Sequence, residues 1–195
     1  YTYIDDTELE DLLGRYKLGQ LLSIAGIAEG VENSNFLLRT DKANFILTLY
    51  EKRVDEADLP YFLGLMNHLS ETGLQCPVPI KDNTGKVLQS CAGRVAAIVS
   101  FLDGTSQKFP TVEKCAELGR ALAHFHLKSS SFSLKRKNNL GPDGWLPLLQ
   151  SVNNNLADMP ENLKEQAENI IHELIAAWPA QLPAGHIHAD LFPNN

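Results

Sequence analysis

The chain has 195 residues and is 44% hydrophobic, enough to bury a core in one large domain or two modest lobes. Its net charge of −7, from 24 acidic against 17 basic residues, offers no electrostatic footprint for DNA, RNA or an anionic membrane. The cysteines Cys76, Cys91 and Cys115 form no CxxC pair and read as buried thiols of a reducing compartment. No apolar run approaches the ~20 residues that span a bilayer, and residues 1–6 lack the basic and apolar regions of a signal peptide. The expectation is a soluble cytoplasmic protein with neither nucleic acid nor membrane as partner.

In chain order, residues 7–10 form a capping-box pattern, and Leu9, Leu12, Leu13 and Tyr16 recur at helical spacing until Gly19. This predicts a short amphipathic lid. Three strand-like stretches follow at about 22–28, 34–40 and 44–50, an antiparallel meander whose first turn, Gly30-Val-Glu-Asn33, carries a glycine. Phe62, Leu65, Met66 and Leu69 then mark a helix from an Asp58 cap to Gly73 that packs on the meander. Short strands are predicted at 76–80 and 87–91 around a turn at 83–85, and 94–102 is the most apolar strand of the chain. An N-terminal lobe of residues 1–102 is thus complete.

Residues 103–110 have linker composition, and behind them the pattern turns helical. Thr111 caps a helix with the stripe Cys115, Leu118, Leu122 and Phe125, and a second helix at 160–178 buries Leu163, Ala167, Ile170, Ile171, Leu174 and Trp178. Within the first of these, His126 is the packed histidine and His124 the solvent-facing one. Trp145 and Trp178 read as core. The last segment, 185–195, turns from a short strand into a polar loop. No internal repeat interrupts this order.

Chemistry concentrates in His188-Ala-Asp190-Leu-Phe-Pro-Asn-Asn195. Phosphoryl transfer needs a carboxylate that accepts the proton of the attacking hydroxyl and, five residues on, an amide oxygen able to hold Mg²⁺ against phosphates. Asp190 and Asn195 have that spacing; the bland alternative makes both of them turn formers. Protein kinases usually carry a lysine two residues after the aspartate, and Phe192 stands there, which argues against a protein substrate. Backbone N–H groups of a glycine-bearing turn from Gly30 through Asn33 to Ser34 could cradle phosphates, or the turn could be an ordinary hairpin. The pairs His124/His126 and His186/His188 invite a metal reading, but Leu191 stands where a hydrolase pattern of the HxHxD type continues with histidine.

With these parts in order, Gly26-Ile-Ala-Glu-Gly-Val-Glu-Asn-Ser-Asn-Phe-Leu-Leu-Arg-Thr40, Phe45-Ile-Leu-Thr-Leu-Tyr-Glu-Lys-Arg53, Leu59-Pro-Tyr-Phe-Leu-Gly-Leu-Met66 and the 188–195 motif resemble the bacterial homoserine kinases built on the aminoglycoside phosphotransferase fold. The resemblance covers essentially the whole chain. The closing motif is shared with choline kinases and aminoglycoside kinases, so the finer assignment rests on the first three segments.

The resemblance implies a two-lobed, protein-kinase-like α+β fold, with residues 103–195 forming the linker and first part of a helical C-terminal lobe. It implies ATP and Mg²⁺ as cofactors and L-homoserine as substrate, on the route to threonine. Carried over by position, Asp190 is the catalytic base, Asn195 the metal ligand and His188 the brace of the loop. Adenine is expected on backbone groups of Ser100 to Leu102. Thr48 occupies the position expected for a phosphate-binding cation, and Lys52, on the same face by period-two alternation, could substitute. A solvated strand-end charge is the alternative for Lys52. A second metal-holding carboxylate would lie after Asn195, so the C-terminal lobe reads as truncated and the chain as given is expected to be inactive. The rival readings are another small-alcohol kinase, for choline or an aminoglycoside, and a nucleotide-binding remnant without catalysis.

Overall fold

The computed structural model describes residues 2–28, 33–51, 55–105, 108–152, 160 and 162–192. They fall into two units, Tyr1–Leu134 with Gly185–Asn195, and Lys135–Ala184.

In the first unit, helix α1 (Asp6–Leu13) is capped by Asp5, whose carboxylate accepts from the Glu8 N–H at 2.8 Å. The helix thus starts ahead of the predicted capping box at 7–10, because the Asp5 anion satisfies an orphan donor and favours the positive helix end. It also ends at Gly14 rather than Gly19. Gly19 instead turns the chain into the sheet at φ 96°, where a Cβ would collide with the Asp41 side chain.

The sheet comprises β1 (Leu21–Ile27), β2 (Asn33–Thr40), β3 (Asn44–Tyr50), β4 (Gln89–Cys91) and β5 (Arg94–Ser100) in the order β1-β2-β3-β5-β4. Every neighbouring pair is antiparallel. Across β3 and β5, Leu47 sits opposite Ile98 and Leu49 opposite Ala96, all at 0% exposure. Each such leucine removed from water is worth about 1.5–3 kcal/mol, and Leu9 and Leu12 of α1 complete the same cluster. The predicted lid is therefore part of the core.

A 3-10 turn (Glu56–Asp58) precedes α2 (Leu59–Glu71). The predicted Asp58 cap makes no capping bond; the carboxylate that accepts a backbone N–H here is that of Asp55, from Ala57 at 2.9 Å. At the other end Gly73 (φ 80°) closes the helix as predicted, with Leu74 N–H donating to the Leu69 carbonyl. Residues 76–80 form no full strand: Pro79 bridges Val99, while Ile80 N–H donates to Ile98 and Ser100 N–H to Val78. Pro77 and Pro79 have no N–H to extend a ladder.

Helix α3 (Val112–Ser129) starts at its predicted cap, Thr111, which accepts from Lys114 N–H. The apolar stripe predicted for it is only partly covered among the described residues, with Leu122 and Phe125 half-buried. Cys115 is exposed, Leu118 is 46% exposed, and His126 is as exposed as His124. Of the three thiols expected to be buried, only Cys91 is; Cys76 is half-buried.

The second unit pairs α4 (Pro142–Ser151), which the sequence did not suggest, with α5 (Leu163–Ala177). Pro147 inside α4 breaks the apolar periodicity of a helix. Trp145 and Trp178 meet edge to face at 5.2 Å, though Trp178 stays half exposed, as do Ile170 and Leu174. No residue of the predicted α5 stripe is fully buried among the described residues, and only Ala167 and Ile171 are half-buried. No helix of the described chain is long and apolar enough to cross a membrane.

Candidate functional site

Residues 185–192 form no strand; they have no regular secondary structure and include the loop bearing Asp190. Within it, His188 Nδ1 accepts from the Asp190 N–H at 3.3 Å, so the imidazole folds onto the backbone of the residue it is expected to brace. Ala189, between them, adopts φ 64°. A non-glycine residue in this left-handed region is strained, and such strain clusters where geometry serves chemistry. The Asp190 side chain is exposed, whereas His186 is buried. His186 and His188 thus lie in different environments. Among the described residues no group of three His, Cys, Asp or Glu could hold a metal.

His186 anchors this segment to α2. Its Nδ1 lies 2.7 Å from the Tyr61 hydroxyl, and its ring packs on those of Tyr61 and Phe132 at 5.7 and 5.6 Å. Gly64 makes room for Phe132: an added Cβ would stand 3.2 Å from its ring. His68 Nε2, one turn on, is 3.0 Å from the Lys128 carbonyl and ties α2 to α3. Sequence reasoning missed Tyr61 and Phe132, because a contact spanning 125 residues leaves no local periodicity.

The predicted nucleotide residues divide. Gly30, Lys52 and Asn195 lie outside the described residues. Asn33 opens β2, and its Oδ1 accepts from the Glu51 N–H at 3.4 Å. Ser34 is buried and donates to Glu51 Oε1 at 2.7 Å, while its own oxygen accepts from Thr2 N–H. The same carboxylate takes the Thr2 hydroxyl at 2.6 Å and Arg94 Nε at 2.8 Å. The hydroxyls of Thr2 and Ser34, with the Arg94 guanidinium, pull the Glu51 carboxyl down to about 2. The Ser34 side chain is thereby committed to Glu51. Thr48, at the expected cation position, donates its hydroxyl to Asn35.

Ser100 ends β5 with its N–H on the Val78 carbonyl and its hydroxyl accepting from Val78 N–H. Phe101 N–H is taken by Asn44, and Leu102, 39% exposed, lies past the ladder. β5 therefore stops two residues short of the predicted 94–102 strand.

Residues 23–195 match the phosphotransferase enzyme family. The chain is 52% identical, over all 195 residues, to the homoserine kinase of Paramagnetospirillum magneticum, of which it covers 60%. It is 51% identical over its whole length to that of Parvibaculum lavamentivorans, covering 61%. It thus spans about three fifths of the length of these curated relatives. Among solved structures, a spectinomycin phosphotransferase in complex with ADP and spectinomycin aligns with TM-score 0.56 at 17% identity, over 89% of this chain and 56% of that one. A microcompartment-associated aminopropanol kinase aligns with TM-score 0.53 at 17% identity, over 81% of this chain and 58% of that one. The five-stranded antiparallel sheet with its helices is the kinase-like α+β fold of the aminoglycoside phosphotransferases, and the chain belongs to the phosphotransferase enzyme family.

Proposed function

We propose that the whole protein transfers the γ-phosphoryl group of ATP to the side-chain hydroxyl of L-homoserine, on the route to threonine and in the cytoplasm. The observation that carries this reading is identity of about half the residues, along the entire chain, with proteins named homoserine kinase. In the reaction Asp190 accepts the hydroxyl proton as the new O–P bond forms and the bond to ADP breaks. The exposed carboxylate and the His188 contact to its backbone support this role. His188 holds the loop. Asn195 offers Mg²⁺ a hard amide oxygen, the donor class the ion takes when it keeps most of its shell as water and phosphate; when bound, the ion neutralises charge on the phosphates.

Residues 1–102 would form the nucleotide lobe and 103–195 the linker and first part of the helical lobe. Peptide groups from Gly30 through Asn33 to Ser34 would face the phosphates, with Lys52 as their cation and the Ser100 to Leu102 backbone as the adenine edge. Comparison of kcat/KM for L-homoserine, choline, an aminoglycoside and a serine-containing peptide, with the full-length protein, tests the reading. L-Homoserine is expected to lead clearly. Another winner overturns the acceptor while leaving the phosphotransferase assignment in place.

A further inference from the structure

The first unit holds a cavity of about 500 Å³ that none of the roles above uses. Pro60 and Leu63, on one face of α2, form one wall, and Val87 and Leu88, ahead of β4, form the other. Lys81 and Lys86 line it as well. The turn between these lysines is built tightly: Asp82 N–H donates to the Lys86 carbonyl at 2.8 Å, and Gly85 takes φ 90°. The two cations are thereby held at the ends of one short loop.

The loop carries two cations, Lys81 and Lys86, against one carboxylate, Asp82. Neither ammonium makes an ion pair among the described residues. Asp82, the acid between them, spends Oδ1 on the N–H groups of Thr84 and Lys86 and on the Thr84 hydroxyl, and Oδ2 on Gln89 Nε2. Glu71, on α2, is engaged by Asn67. Two cations against one carboxylate beside an apolar cavity favour an anion with an apolar body over a cation. The volume lies within the roughly 300–1,000 Å³ of small-molecule sites.

We propose that this cavity binds a small amphipathic carboxylate, its apolar body against Pro60, Leu63, Val87 and Leu88 and its anion at Lys81 and Lys86. The inference does not depend on the acceptor proposed above.

The test uses the full-length protein with its nucleotide site filled by saturating ADP, titrated calorimetrically with octanoate and with 1-octanol. Octanoate is expected to bind about tenfold or more tighter than octanol, a difference of about 1.4 kcal/mol. The double variant Lys81→Met/Lys86→Met keeps the aliphatic stems and removes the charges; it should lose that preference and leave octanol binding unchanged. Val87→Trp, which fills the cavity from its rim, should weaken both ligands. Circular dichroism verifies the fold of each variant. Equal affinity for the two ligands in the parent protein, no octanoate binding up to about 10 mM, or octanoate affinity unmoved in the folded double variant overturns the proposal.

Discussion

At the scale of single residues, Asp190 and Tyr61 act on the same loop by different means. The Asp190→Asn variant of the full-length protein is expected to lower kcat with homoserine by about 10²–10⁴, the usual share of a positioned acid or base. Its ATP affinity should barely move, and initial rates at saturating ATP and Mg²⁺ measure the effect. The Tyr61 hydroxyl holds buried His186 at 2.7 Å, four residues before Asp190. Tyr61→Phe removes that bond and keeps the ring packing, so it should destabilise the protein by about 1–3 kcal/mol, read from denaturant unfolding. If the bond also sets the loop, kcat falls while KM for ATP holds. An unchanged kcat would confine Tyr61 to stability.

At the scale of elements, the sheet end is closed by Glu51, which joins Thr2, Ser34 of β2 and Arg94 of β5. Its carboxyl falls from 4.5 to about 2, chiefly through the Thr2 hydroxyl and then that of Ser34. A folded-state value below the unfolded one means that the unfolded chain binds the proton more readily. The stabilisation is therefore fully present above about 4.5 and is lost as pH falls towards about 2. Glu51→Gln should flatten the fall in stability across that window while lowering stability at neutral pH, measured by urea unfolding at a series of pH values. An acid limb as steep as that of the parent protein would assign the loss to other carboxylates.

The strands themselves were legible locally. The 44–50 strand, rich in aromatic and β-branched residues, is found at Asn44–Tyr50 without adjustment. The Asp5 cap was not, since an Asp and a Thr–Glu pair two residues apart compete for one helix start. Pro147 likewise concealed α4.

At the scale of the molecule, apolar surface lies open on α3 and α5: Leu118, Ile170 and Leu174 are each about half exposed. Monomeric proteins rarely leave such stripes in water, and the chain spans about 60% of its relatives' length. Residues 1–195 expressed alone are therefore expected to bind a hydrophobic dye and to release no measurable ADP with homoserine, with circular dichroism confirming the folded part. Turnover comparable to the full-length protein would show that the carboxylates of this chain suffice for the metal.

The sequence by itself determined what local physics controls. Alternation placed β2 and β3, a hydroxyl cap placed the start of α3, and a glycine placed the end of α2. Each signal lies within a few residues of what it specifies. Tertiary structure alone decided that α1 is core, that Ser34 is committed to Glu51, that Cys115 and His126 face water, and that Tyr61 holds His186. Those outcomes depend on which distant side chain arrives to desolvate or bond a group. Burial and pairing across 125 residues are properties of the packed chain, with no counterpart in the periodicity of any one segment.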